Sequence, residues 1–155
     1  MPKVAAVKTL VTAREVYRAL QLAWVALFGE QAKRESLCVL LAQWALETGH
    51  GKACWNYNLG NVKSFQKGGE WCFFRCNEII KGKVVWFEPD HPACCFVAYR
   101  TLNSGAEAYL DKLHTRFAKA WPFVIAGDPA QFTNKLKAQG YFTAHLEDYL
   151  GKDGK

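Results

Sequence analysis

Leu40-Leu-Ala-Gln-Trp-Ala-Leu-Glu-Thr-Gly-His-Gly-Lys52 is the stretch that decides how this chain is read. The apolar residues at Leu40, Leu41 and Trp44, following Leu37, have the spacing of one helical face. Glu47 falls seven residues after Leu40 and three after Trp44, so a carboxylate extends the apolar stripe instead of opposing it. Gly49 supplies the left-handed residue that stops a helix, and Gly51 loosens the chain beyond it. A glutamate held against apolar neighbours at the mouth of a core helix has its charged form disfavoured by desolvation. Its expected pKa rises from about 4.3 towards ~6, the range of a general acid. A partly exposed glutamate that merely ends a surface helix fits the same spacing.

Working outward, 155 residues of which half are hydrophobic make one domain, 1–155, with a core that needs no staples. Twenty basic against 14 acidic residues give a formal charge of +6, which suits a polyanionic partner: nucleic acid, an acidic membrane surface or a bacterial cell wall. The lysines are scattered and no nucleic-acid-reading motif is present, which argues against DNA or RNA. No stretch approaches the roughly 20 apolar residues of a membrane span. Met1 to Leu10 is mixed, and the apolar run from Leu20 to Phe28 lies too deep for a leader. A soluble chain made in the cytoplasm, monomeric and released by another route if it acts outside, is therefore expected.

Thr12-x-x-Glu15 is a capping box opening a helix with Val16, Leu20, Ala23, Trp24 and Leu27 on one face, ended by Gly29. The core helix follows over about 31–48. Next comes an Asn-rich loop, Trp55-Asn-Tyr-Asn-Leu-Gly-Asn-Val-Lys63. Its Asn and Gly residues fit tight turns. Trp55 and Tyr57 there fit either stacking on a flat ligand such as a sugar ring or tucking into the core. A β lobe over about 68–100 follows: Trp71 to Ile80 as a strand, Lys81-Gly82 as a turn and Val84 to Phe87 as its partner. Period-two alternation puts Cys72, Phe74, Cys76 and Glu78 on one face, so the hairpin delivers a second carboxylate. Glu88 and Asp90 lie in a turn where solvation explains them, and Ala93 to Tyr99 reads as a third strand or extended return. Ser104-x-x-Glu107 reads as a second capping box, with Ala106, Tyr109, Leu110, Leu113 and Phe117 inward. Asp128-Pro129 starts a helix that buries Phe132 and Leu136, and a last short helix is expected from Ala144 to Leu150 before a frayed tail, 151–155. The fold class is α+β: a mainly helical body with a small inserted β-hairpin lobe.

The six cysteines are Cys38, Cys54, Cys72, Cys76, Cys94 and Cys95. Adjacent Cys94 and Cys95 rarely point at one tetrahedral centre, so no metal and no cofactor is expected. Hairpin disulfides and buried free thiols both remain open, with Cys38 on the core helix assigned to the second class.

This layout resembles the lysozyme-like superfamily, and within it the glucosaminidase-type peptidoglycan hydrolases of autolysins, flagellar rod assembly and phage lysis. Three blocks carry the likeness. Ala45 to Lys52 is similar to "A-L-E-S/T-G-W-G-K", with His50 where Trp is usual. Asn58-Leu-Gly-Asn-Val-Lys63 is similar to "N-L-F-G-I-K", with its Phe missing. Leu136, Gly140-Tyr141-Phe-Thr143 and Tyr149 resemble "L-x-x-x-G-Y-x-T" and a following Tyr. The resemblance implies Glu47 as catalytic acid and Tyr141 and Tyr149 as residues near the cleft. It implies Glu78 as a second functional carboxylate, since Cys76-Asn-Glu78-Ile-Ile-Lys-Gly82 keeps the Glu and Gly of "T-x-E-Y-x-x-G" without its Thr and Tyr. The expected substrate is the β-1,4-linked glycan of bacterial peptidoglycan. Trp55, Tyr57 and Tyr141 would stack on its rings, and Asn58 and Asn61 would bond its acetamide or hydroxyl groups. A lytic transglycosylase using Glu47 alone and a non-catalytic wall-binding module are the competing expectations.

Overall fold

The first helix, α1 (Ala13–Phe28), begins where the sequence places it. The Thr12 hydroxyl accepts from the Glu15 amide at 3.1 Å, and the Glu15 carboxylate accepts from the Thr12 amide at 3.0 Å. That reciprocal box satisfies two donors that a helix start otherwise leaves unpaired. Val16, Leu20, Ala23 and Trp24 are buried, but Leu27 is 39% exposed. The last turn commits Phe28 instead, its ring 5.0 Å from Trp24 and 5.5 Å from Trp121.

The structure is a computed structural model and describes residues 3–64 and 69–141. Its central rod is α2 (Arg34–Thr48), which starts three residues later than expected because Lys33 sits extended in the cap position. Leu37, Leu40 and Trp44 are each 1% exposed or less. At roughly 25 cal/mol per Å² of apolar area, sealing side chains of this size supplies about 1.5–3 kcal/mol each for the aliphatic ones. Gly49, at φ 56°, ends the rod by returning its amide to the Ala45 carbonyl. Cys38, expected in the core, is exposed, because it falls off the Leu37–Leu40–Trp44 stripe.

The remaining helices close around α1 and α2. In α3 (Leu102–Thr115) the residues Ala106, Tyr109, Leu110 and Leu113 are buried, and this helix packs along α1. It starts two residues before the expected cap. Thr101 is extended and its hydroxyl accepts from the Ser104 amide at 3.1 Å, which leaves Ser104 inside the first turn. The five-residue helix α4 (Trp121–Ile125) is too short to announce itself by periodicity. Asp128 caps α5 (Pro129–Ala138) through a 3.0 Å bond from the Gln131 amide, with Phe132 and Leu136 inward as expected. The helix expected over 144–150 lies outside the described residues. Among those described, no helix is long and apolar enough to cross a membrane.

Between α2 and α3 lies the β lobe, and here the expected long strand breaks in two. β1 (Glu70–Phe73) pairs antiparallel with β4 (Cys95–Ala98), while β2 (Cys76–Ile80) pairs with β3 (Lys83–Phe87). Lys81 and Gly82, both at positive φ, make the two-residue turn of the second pair. Phe74 and Arg75 separate the two pairs, which have different partner strands. Cys72 is therefore sealed in the β1/β4 floor, whereas Cys76 and Glu78 stay half-buried on the projecting β2/β3 arm. A 3₁₀ turn, Pro92–Cys94, stands where a strand from Ala93 was expected.

The Asn-rich loop is strapped down on both sides. Asn56 accepts from the Val7 amide at 2.8 Å and donates to the Ala5 carbonyl at 3.0 Å, binding the loop to the extended N-terminal segment. Asn58, 1% exposed, donates to the Val62 and Val97 carbonyls and accepts from the Val62 amide. On the other side, a Cβ at Gly105 would run into the Tyr57 carbonyl. In an ordinary helix Gly→Ala gains up to ~1 kcal/mol. Here the forced shift of the loop outweighs it, and Gly105→Ala is expected to lower stability by about 1–3 kcal/mol in a denaturant melt.

Candidate active site

The last turn of α2 delivers Glu47 half-buried to the wall of a cleft of about 600 Å³. The β2/β3 arm lines the same cleft with Asn77, Glu78, Ile79 and Trp86. From the Asn-rich loop, Asn61 Nδ2 donates to the Glu47 carbonyl at 2.5 Å, which satisfies an acceptor that the helix end leaves open. Its Oδ1 has no partner among the described residues.

Glu78, with 30% of its side chain exposed, is ion-paired to Lys63, which is 35% exposed. Both line the cleft. The pair is partly withdrawn from water, so removing either member strands a charge that its surroundings solvate poorly. Glu88 and Asp90 lie elsewhere, in surface pairs with Arg75 at 2.7 Å and Lys3 at 3.2 Å.

Trp55, Phe74 and Phe96 form a stack in the cleft wall, with centroids 5.5 and 4.0 Å apart and rings within 21° of parallel. Phe74 is covered on both faces, which fixes Trp55 at the end of the pile. Trp86 is 50% exposed, with the Arg75 guanidinium 3.9 Å over its ring. Tyr141 enters from the end of α5. Its hydroxyl donates to the Gly60 carbonyl at 2.8 Å and its ring meets Phe117 edge-on at 4.8 Å. Burial pushes that hydroxyl well above the ordinary tyrosine value, the Glu47 carboxylate nearby adds to the rise, and the Gln43 amide offsets part of it. Gln43 sits one turn before Glu47 on α2, is 2% exposed, and also accepts from the Tyr109 hydroxyl.

Of the residues singled out in the sequence, the cleft brings together Glu47, Glu78, Trp55, Asn61 and Tyr141. It does not include Tyr57, which packs against the core, or Asn58, whose amide hydrogens are both engaged by backbone carbonyls. Tyr149 lies outside the described residues. Lys63, Gln43, Arg75 and Trp86 are the cleft and support residues that sequence reasoning passes over. Lys63 stands at the end of the Asn-rich loop, and Trp86 alternates outward on an expected strand. Gln43 carries no signal, being one polar residue on an otherwise apolar rod. Among the described residues no group of three His, Cys, Asp or Glu side chains is placed to hold a metal.

A scan against family models gives no match, and a search of curated proteins gives none either. Solved structures do match. A peptidoglycan hydrolase mutant from Sphingomonas sp. A1 superposes with a TM-score of 0.62 at 25% identity, over 89% of this chain and 83% of that one. The fold is that of a lysozyme-like glycan hydrolase. A C-terminally truncated glycoside hydrolase domain from Salmonella typhimurium FlgJ matches the same lysozyme-like frame, with a TM-score of 0.51 at 22% identity over 83% of this chain and 85% of that one.

The tyrosine chemistry of this lysozyme-like cleft is directly measurable. Burial also raises Tyr99, to about 12. The unfolded chain gives up these protons first, so stability falls as pH rises past the ordinary tyrosine value near 10. In Glu47→Gln the Tyr141 resonance is expected to titrate at lower pH than in the parent, because a carboxylate that opposed its ionisation is gone. An unchanged NMR titration would show that the two groups do not sense each other.

Proposed function

We propose that the protein hydrolyses β-1,4 glycosidic bonds between N-acetylglucosamine and N-acetylmuramic acid in bacterial peptidoglycan, with Glu47 as general acid. The observation that carries this reading is the pairing of Glu47 with Glu78 across one cleft in a fold shared with a peptidoglycan hydrolase. Breaking a glycosidic bond needs a proton for the leaving oxygen and support for positive charge at the sugar carbon. Glu47, set on a rigid rod, suits the first task. Glu78, carried on a projecting arm and held by Lys63, suits the second, either by activating water or by orienting the substrate's own acetamide.

Further features support a glycan as ligand. Trp55, at the end of its ring stack, presents a flat apolar surface to a pyranose face. Asn61 lines the same cleft and is held there by the bond from its Nδ2 to the Glu47 carbonyl. The excess of basic residues favours an anionic wall.

Lytic transglycosylation needs one glutamate and is the second reading. Glu47→Gln is expected to keep its fold and lose at least about 10²-fold in release of products from purified wall, as loss of a general acid does. Glu78→Gln separates the chemistries: a comparable loss supports hydrolysis, while full activity with anhydro-sugar ends in the mass spectrum supports the transglycosylase. Retention of Glu47→Gln activity at the parent rate would remove both readings, while a parent chain that stays on purified wall and releases no product would be a binding module.

A further inference from the structure

Two thiols meet at the root of the arm that carries Glu78. Cys76 opens β2, and its Sγ lies 3.9 Å from the Sγ of Cys94, the last residue of the 3₁₀ turn. Each also bonds to the backbone beside it: Cys76 Sγ to the Ala93 carbonyl at 3.2 Å, and Cys94 Sγ to the Glu88 carbonyl at 3.3 Å. Cys94 belongs to the floor, since its carbonyl accepts from the Phe74 amide and Cys95 begins β4. Along the chain, the arm connects to that floor through Phe74 and Arg75 on one side and the turn from Glu88 to His91 on the other.

The other cysteines do not share this arrangement. Cys54, Cys72 and Cys95 are 1% exposed or less, and Cys38 is exposed on α2, away from the lobe. Cys76 alone combines partial exposure on the cleft wall with a neighbouring thiol in contact.

We propose that Cys76 and Cys94 form a thiol–disulfide modification site that reacts with a small-molecule disulfide and clamps the β2/β3 arm to the floor. The thiolate of Cys76 attacks one sulfur of the oxidant and releases the other half as a thiolate. Cys94 then attacks the Cys76 sulfur of the mixed disulfide and expels the second half. Two electrons pass to the oxidant, which leaves as two thiols carrying the two protons given up by the protein. Desolvation holds the Cys76 thiol up at about 11, so the first step is slow at neutral pH and accelerates as pH rises.

The test treats the reduced full chain with oxidised glutathione at mildly alkaline pH, then alkylates in denaturant and maps the peptides. Two of the six cysteines are expected to escape alkylation, in a joined peptide pair containing Cys76 and Cys94. Hydrogen exchange of amides 76–80 and 83–87 should slow several-fold on oxidation. In Cys94→Ser the oxidant should instead remain as a glutathione adduct on Cys76, with arm exchange unchanged. Full alkylation of all six thiols, a bond mapped to another pair, or arm amides that exchange equally fast in both states would overturn the proposal. None of these readouts depends on glycan cleavage.

Discussion

Burial of Leu40 and Trp44 fixes the rotation of α2, and with it the direction in which Glu47 leaves the helix. A carboxylate on the same stripe as two sealed side chains has nowhere to point but along the core's edge, and the cleft opens there. Gly49 stops the rod immediately beyond, so the chain turns away and leaves room for a ligand. The rest of the site is positioned relative to that turn. Asn61 reaches its carbonyl, Tyr141 lies near its carboxylate, and Gln43, one turn below, accepts from the Tyr109 hydroxyl.

The two walls differ in how firmly they are held. One is a helix embedded in the core. The other is a two-stranded ribbon, a unit with little stability of its own in water. Its Ile80, Val84 and Trp86 are exposed, so apolar packing anchors it weakly. The Lys63–Glu78 pair and the contacts at its root set its position, which places electrostatics where packing supplies little. On the proposed reading, a firmly held Glu47 and a less firmly anchored Glu78 would let the arm adjust to a bound glycan.

Much of this arrangement is legible in the amino-acid sequence. The helix caps at Thr12 and Asp128, the inward stripes and the Lys81-Gly82 turn follow from local chemistry, and local chemistry prevails where neighbours agree with it. Legibility ends where tertiary contacts decide. The Trp71–Ile80 run has strand propensity throughout, yet β1 and β2 find different partners, and only pairing reveals the hinge between them. Asn58 and Asn61 look alike in sequence. One is consumed by backbone carbonyls of the loop and of β4 while the other lines the cleft, because buried backbone groups must be satisfied first.

Among the described residues the N-terminal segment contributes none to the cleft wall, yet it laces the loop that does. Val7 and Ala5 engage both ends of the Asn56 amide, Thr9 takes the Tyr57 amide, and Lys8 bridges to Trp55. Trimming or fusing the chain within its first nine or so residues therefore acts at a distance. It unlaces the loop that carries Trp55 and Asn61 while leaving Glu47 and Glu78 in place, and on the proposed glycan reading such damage would register as weakened binding before any loss of chemistry.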